Sequence, residues 1–133
     1  FVISQFFLEN QKFLSWRDQL YREGVRIPII PGLICAQSFS QIQRFAKMCG
    51  CMVPSDLIKN LERFAGNAED GLRVGLDHAE KQLEDLIKEG IAGLHLYALN
   101  RSEVVNDLGQ MMVGLKSRTD LKSNLENHGR LGF

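Results

Sequence analysis

Three short apolar segments, each followed by a stretch of helical periodicity, constrain this chain more than any other feature. Phe1-Val-Ile-Ser-Gln-Phe-Phe7, Ile27-Pro-Ile-Ile30 and Gly93-Leu-His-Leu-Tyr-Ala-Leu99 are rich in β-branched and aromatic residues and read as strands. The first is almost continuously apolar, which suits a strand covered on both faces of a parallel sheet. Strands alternating with helices imply parallel pairing through right-handed crossovers, hence an α/β class.

The intervening residues supply the helices. Asn10 is expected to cap a helix running to about Glu23, with Phe13, Trp16, Arg17 and Leu20 at helical spacing and Gly24 closing it. Pro31-Gly32 is expected to halt the second strand, in which Pro28 is awkward because it removes a ladder donor. Ser40 to Cys49 reads as the next helix, and Ser55 caps another that ends at Gly66. Asn67 opens the longest, in which Leu72, Leu76, Ala79, Leu83, Leu86 and Ile87 recur until Gly90. Asn100 with Glu103 resembles a capping box before Val104, Val105, Leu108, Met111, Met112 and Leu115. From Lys116 the chain is polar and expected to fray, which divides it into residues 1–115 and a tail, 116–133.

Three parallel strands cannot close a barrel, and a (β/α)₈ barrel takes about 250 residues. With 133 residues and a first residue already inside a strand, the chain reads as a partial domain and a piece of something longer. Lys plus Arg and Asp plus Glu are 16 each, so no net field favours nucleic acid or an anionic membrane, and neither is expected as a partner. No apolar run approaches the roughly 20 residues of a membrane span, and no basic stretch precedes Phe1 as in a signal peptide. Three cysteines, an odd count beside a normal core, point to a reducing compartment, and a cytoplasmic location is expected.

Few residues suggest chemistry by themselves. Gln5 is an amide within an apolar strand, and burying it unpartnered would cost on the order of 1–3 kcal/mol. It is either held by a neighbouring loop or placed at the ligand end of a barrel strand. His95 and Tyr97 share one face of the third strand while Leu94, Leu96 and Ala98 share the other, which turns the polar pair toward a barrel interior. A histidine so placed is more often a core residue than a catalyst. Arg101, at the strand's end, can grip a carboxylate with its planar fork or simply be solvated. Cys49-Gly-Cys51 lacks the spacing of a zinc site, and His78 is remote from it. No Walker-type loop or G-x-G-x-x-G follows a strand.

Taken together, Ile3-Ser-Gln-Phe-Phe7, Ile27-Pro-Ile-Ile-Pro-Gly32 with its sequel to Phe45, and Gly93-Leu-His-Leu-Tyr-Ala-Leu-Asn-Arg101 closely resemble the methylenetetrahydrofolate reductase family. Val53-Pro-Ser-Asp-Leu and the long helix before Gly90 keep the same register, so the resemblance runs from about Phe1 to Leu115. It implies a partial (β/α)₈ TIM barrel comprising strands six to eight. It further implies reduction of 5,10-methylenetetrahydrofolate to 5-methyltetrahydrofolate, with NADH or NADPH as reductant and FAD as the bound flavin. Folate and pyridine nucleotide are then the ligands, and the full-length protein is expected to be a homo-oligomer. Gln5 matches the family glutamine that reaches both the pterin and the nicotinamide. Gln41 and Arg101 match residues that contact folate, and Phe45 matches an aromatic that stacks on the ligand. The family's catalytic glutamate and most FAD-binding residues belong to earlier strands and have no counterpart here. Cys35 stands where the family usually has proline, and Ala98 where threonine is common. The competing reading is a non-catalytic remnant that binds a partner or complements a separate N-terminal half.

Overall fold

The computed structural model describes the backbone of residues 1–129 and the side chains of residues 1–115 and Ser117. Its elements are β1 (Val2–Phe6), α1 (Asn10–Arg22), β2 (Ile29–Ile34), α2 (Phe39–Cys49), α3 (Ser55–Arg63), α4 (Ala68–Lys88), β3 (His95–Tyr97) and α5 (Ser102–Gly129). The strands form one sheet in the order β1-β2-β3, and both pairings are parallel. The alternation in the sequence thus does produce a parallel α/β sheet.

β2 is the middle strand, and its two faces feed two different cores. Ile29 and Leu33 pack with Phe7, Phe13, Leu83 and Leu86, drawing α1 and α4 onto one side. Ile34, with Ala36 just beyond the strand, packs with Phe6, Ile42, Leu57 and Leu61, bringing α2 and α3 onto the other. Each such buried side chain contributes roughly 1.5–3 kcal/mol of transfer free energy, which is why this strand has no polar alternation. Phe7 and Phe13 stack at 4.9 Å between ring centroids and lock the end of β1 to α1.

The second strand does not stop at Pro31-Gly32 but runs through them to Ile34. Neighbouring residues in a strand point their amides to opposite sides. The Gly32 N–H turns toward β1, so the donor that Pro31 lacks lies on the β3 side, where pairing begins only at Gly32 opposite His95. Gly32 serves close approach rather than a turn. A Cβ there would stand 2.6 Å from the Tyr97 ring and 2.8 Å from the Ser4 carbonyl oxygen. Opposite it β1 is irregular: Val2, Ile3 and Phe6 oppose Ile29, Ile30 and Gly32, so an extra residue is accommodated at Ser4-Gln5. Ser4 Oγ accepts from the Gly32 N–H at 3.0 Å, and Tyr97 Oη donates to the Ser4 carbonyl at 3.1 Å.

Three helix starts differ from expectation. Asn10 lies inside α1 with Glu9 before it, because its amide is used at long range: it donates to the Gln82 carbonyl at 2.9 Å and accepts from Gln82 Nε2 at 3.1 Å. Pro54, with φ at −56°, sets the entry to α3, so Ser55 is its first helical residue and no cap. Leu99 and Asn100 adopt left-handed backbone, φ 51° and 61°, which bars Asn100 from the extended conformation of an N-cap. Asn67 does cap α4, accepting from the Glu69 and Asp70 amides. The helix α5 does not end at Lys116 but continues to Gly129, through a segment with good helix formers and neither glycine nor proline before that residue. The rest of the expected tail, residues 130–133, lies outside the described residues.

The longest helix sits directly on the end of β2. A Cβ at Gly71 would come within 2.8 Å of the Gln37 carbonyl oxygen, and one at Gly75 would overlap the Ala36 carbonyl. These two glycines, one helical turn apart, let α4 press the Ala36-Gln37 backbone into place.

A polar cleft at the ends of the second and third strands

Gln37 follows β2 and Arg101 follows β3, and parallel strands deliver both to the same edge of the sheet. Arg101 Nε donates to Gln37 Oε1 at 3.0 Å. The Gln37 backbone N–H in turn donates to Gln41 Oε1 at 3.0 Å, and the Gln41 N–H donates to Ser38 Oγ at 3.3 Å. Ser38-Phe-Ser-Gln41 therefore behaves as a capping box for α2, except that Gln41 reaches the amide one residue before the cap. The orientation of Arg101 is set from the other side by the left-handed pair before it and by its own N–H, which donates to the Ala98 carbonyl at 3.0 Å.

Around this chain of contacts is a cleft of about 460 Å³, whose lining includes Gln37, Ser38, Gln41, Phe64, Asn67 and Arg101. The first turns of α2 and α4 border it, and α5 begins immediately after Arg101, so the positive ends of three helix dipoles lie near one guanidinium. The acidic side chains Glu69 and Asp70 in the first turn of α4 offset part of that field, and Asp70 is tied to Asn67 Nδ2 at 2.7 Å. With Nε engaged by Gln37, the Nη groups of Arg101 have no protein partner among the described residues. The cleft can thus hold a carboxylate beside an apolar or aromatic body lying on Phe64 and Leu61.

Of the four expected ligand residues, the structure brings Gln41 and Arg101 together in this cleft. Gln5 and Phe45 are not among its lining residues. Gln5 is exposed rather than buried, because β1 is an edge strand, and its Oε1 accepts from the Phe6 N–H at 3.0 Å. It borders a different groove, apolar, with Val2, Phe13, Trp16 and Ile29 in its walls. Phe45 is half-buried against the cluster of Phe6, Ile42 and Leu57, with the Arg44 guanidinium 5.1 Å from its ring centroid.

His95 and Tyr97 do share a face: their rings meet edge-on at 4.7 Å, and Tyr97 also packs edge-on against Phe6 at 5.9 Å. Cys35 turns away from the cleft into a pocket with Ala79, Val104 and Leu108. There burial, helped by the Asp107 carboxylate, pushes its thiol up to about 12, a structural rather than a nucleophilic cysteine. His78 Nε2 meets the Leu8 carbonyl at 3.0 Å and Gln82 Nε2 donates to the Phe7 carbonyl at 3.3 Å, so α4 clamps the backbone just after β1. Among the described residues no three His, Cys, Asp or Glu side chains gather as metal ligands would, and no helix is long and apolar enough to cross a membrane.

Sequence reasoning missed Gln37, the residue that joins Gln41 to Arg101. Its position directly after an apolar strand was the available signal. Ser38 was legible as well, since Ser-x-x-Gln before an apolar stripe marks a helix start.

Residues 1–112 match the family model of methylenetetrahydrofolate reductase. The 5,10-methylenetetrahydrofolate reductase of Salmonella typhimurium is 33% identical over 103 residues, a span of 77% of this chain and 35% of that relative. The Escherichia coli protein of the same name is 31% identical over the same shares. Methylenetetrahydrofolate reductase (NADH) 1 of Arabidopsis thaliana is 28% identical over 74% of this chain and 17% of its own length. The chain spans about a third, or less, of the length of these curated relatives. With the family matched across most of its length, the chain belongs to the methylenetetrahydrofolate reductase family.

Proposed function

We propose that this chain forms strands six to eight of a methylenetetrahydrofolate reductase (β/α)₈ barrel, with residues 1–115 as barrel and the segment from 116 as an extension. In that reading it supplies part of the site where 5,10-methylenetetrahydrofolate is reduced to 5-methyltetrahydrofolate at the expense of NADH or NADPH. The observation that carries the reading is the cleft in which Gln41 and Arg101, two residues matched to folate contacts, are linked through Gln37 at the carboxyl ends of parallel strands. Ligands bind at this end of the strands in both open and closed α/β sheets. The exposed edge of β1, with Val2, Ile3 and Ile27 open beside it, is where a preceding barrel strand would pair.

The clefts away from Arg101 do not fit FAD by themselves. A pyrophosphate needs clustered cations or converging backbone amides. The groove beside Gln5 carries one lysine, Lys12, among apolar walls, and the cleft between α1 and α4 sets Glu9, Asp85 and Glu89 against Lys81 and Lys88. With the Arg101 cleft given to folate, flavin binding is assigned to parts of the barrel outside this chain.

What the chain's own residues do is bind and orient. The folate tail ends in glutamate carboxylates, and the Arg101 guanidinium suits them. The amide of Gln5 can both donate and accept, which suits a position visited in turn by pterin and nicotinamide. Phe45 offers a flat apolar face. A contact to the tail is made equally in ground and transition states, so it governs KM rather than kcat.

The test is a graft of residues 1–112 in place of the matching segment of the Salmonella typhimurium relative, assayed for pyridine-nucleotide-dependent reduction of methylenetetrahydrofolate. The expected outcome is a yellow, active protein in which Arg101→Ala raises the folate KM, by the equivalent of about 1.5–3 kcal/mol for a charge-assisted contact, with kcat nearly unchanged. A graft that folds and binds flavin but reduces no folate would favour a non-catalytic remnant.

A further inference from the structure

We propose that Gln37 is the positioning residue of this cleft: it holds Arg101 by Nε so that the two Nη groups are presented together to a carboxylate of the bound ligand. The proposal rests on the folate reading of the cleft and adds a residue to it.

An exposed arginine ordinarily samples many rotamers, and ordering it on binding costs affinity. Here the backbone of the residue that orders it is itself held at both its N–H and its carbonyl. The Gln37 N–H is held by Gln41 Oε1, and its carbonyl is pressed by α4 at Gly71, where a Cβ would stand only 2.8 Å away. The preceding Ala36 carbonyl is pressed in the same way at Gly75. From this seat the side-chain oxygen takes the Arg101 Nε–H at 3.0 Å. Engaging Nε leaves the paired Nη edge available, and that edge is one that binds carboxylate bidentately. Glutamine is suited to the role because its oxygen accepts without a charge of its own. A glutamate at the same place would neutralise the cation and compete with the ligand.

The experiment uses the full chain labelled with ¹⁵N and p-aminobenzoyl-L-glutamate as the probe, with p-aminobenzamide, which lacks both carboxylates, as control. The Arg101 Nε–H resonance reports the hydrogen bond directly, and shift titration gives the dissociation constant. Gln37→Met should move that resonance toward its solvated position and weaken probe binding about fivefold, as losing one hydrogen bond of ordinary strength does. In an Arg101→Lys background, which has no guanidinium to hold, Gln37→Met should cost less than about twofold more. If Gln37→Met loses the dispersed amide spectrum, Gln37→Asn, which keeps the amide but withdraws it by one methylene, replaces it with the same expectations. Equal probe binding with and without Gln37, or an equal loss in both the arginine and lysine backgrounds, overturns the positioning role. A wild-type chain that does not bind the probe, or binds it no better than the control, overturns the folate reading of the cleft itself.

Discussion

Replacing Gly75 by alanine tests how α4 is seated on the strand end. In most helix interiors this change stabilises, by about 1 kcal/mol of helix propensity. At Gly75 the added methyl would overlap the Ala36 carbonyl and also come 3.2 Å from the Ala36 nitrogen. The obstacle is backbone anchored at the end of β2, so no rotamer change relieves it and α4 must withdraw. The same helix carries Ala79, Leu83 and Leu86, all fully buried against the sheet, and their packing loosens as it does. Overpacking of this kind costs about 1–3 kcal/mol. Its upper end, set against the gain of about 1 kcal/mol in propensity, leaves a net loss near 2 kcal/mol. Two controls share the chemistry but not the obstacle. Gly109 in α5 has no atom within 4 Å of its Cβ position, so Gly109→Ala should gain the full propensity term. At Gly71, 2.8 Å from the Gln37 oxygen, the two effects should nearly cancel. Urea unfolding followed by circular dichroism reads the order from the midpoints at constant m. A Gly75→Ala protein as stable as Gly109→Ala would refute the close seating of α4.

Leu83→Ala, at a side chain fully buried under β2, should cost about 2–5 kcal/mol in the same assay; a loss below 1 kcal/mol would mean the site collapses freely. Burial holds the His78 imidazole below its usual value, against the opposing pull of the Leu8 carbonyl and with Lys81 adding to the depression. Unfolding therefore takes up a proton, so this contribution is complete above about pH 6.5 and is lost as pH falls through the lower folded value. His78→Gln should flatten that acid limb, and an unchanged slope would exclude His78 as its source. Of the three cysteines, half-buried Cys49 should react first with an aromatic disulfide, Cys51 more slowly because burial and then Cys49 raise its thiol, and Cys35 only on unfolding, because it is buried and its thiol is raised to about 12. Three fast thiols would contradict the placement of Cys35. The purified chain should be colourless and retain no added FAD on gel filtration; bound stoichiometric flavin would place the cofactor site within these residues.

The sequence shows most clearly what is decided locally by pattern. Alternation placed His95 with Tyr97 and apart from Leu96, but the near-continuous apolarity of the first strand suggested cover on both faces, whereas β1 is the exposed edge of the sheet and β2 is the buried strand. Asn67 was legible as a cap because its partners are two and three residues away. Features decided by distant partners were not legible. Pro31-Gly32 carries a turn signal, yet the strand continues because β3 pairs only beyond the proline and because Tyr97 and Ser4 leave no room for a side chain at Gly32. Asn10 looked like a cap until Gln82, remote in sequence, claimed its amide. In the cleft, Gln41 and Arg101 could be named one by one from family resemblance. Their junction at Gln37 depends on how two crossovers bring strand ends side by side, and no single segment encodes that.

The most direct test of the folate-side cleft is a shift-mapping titration of the labelled full chain with 5-methyltetrahydrofolate, following backbone amides and arginine Nε–H groups together. The expected result is a set of perturbations centred on Gln37, Gln41 and Arg101, saturating with a single constant. Perturbations confined to the apolar groove of Val2, Phe13 and Trp16, with Gln37, Gln41 and Arg101 unmoved at saturation, would contradict it.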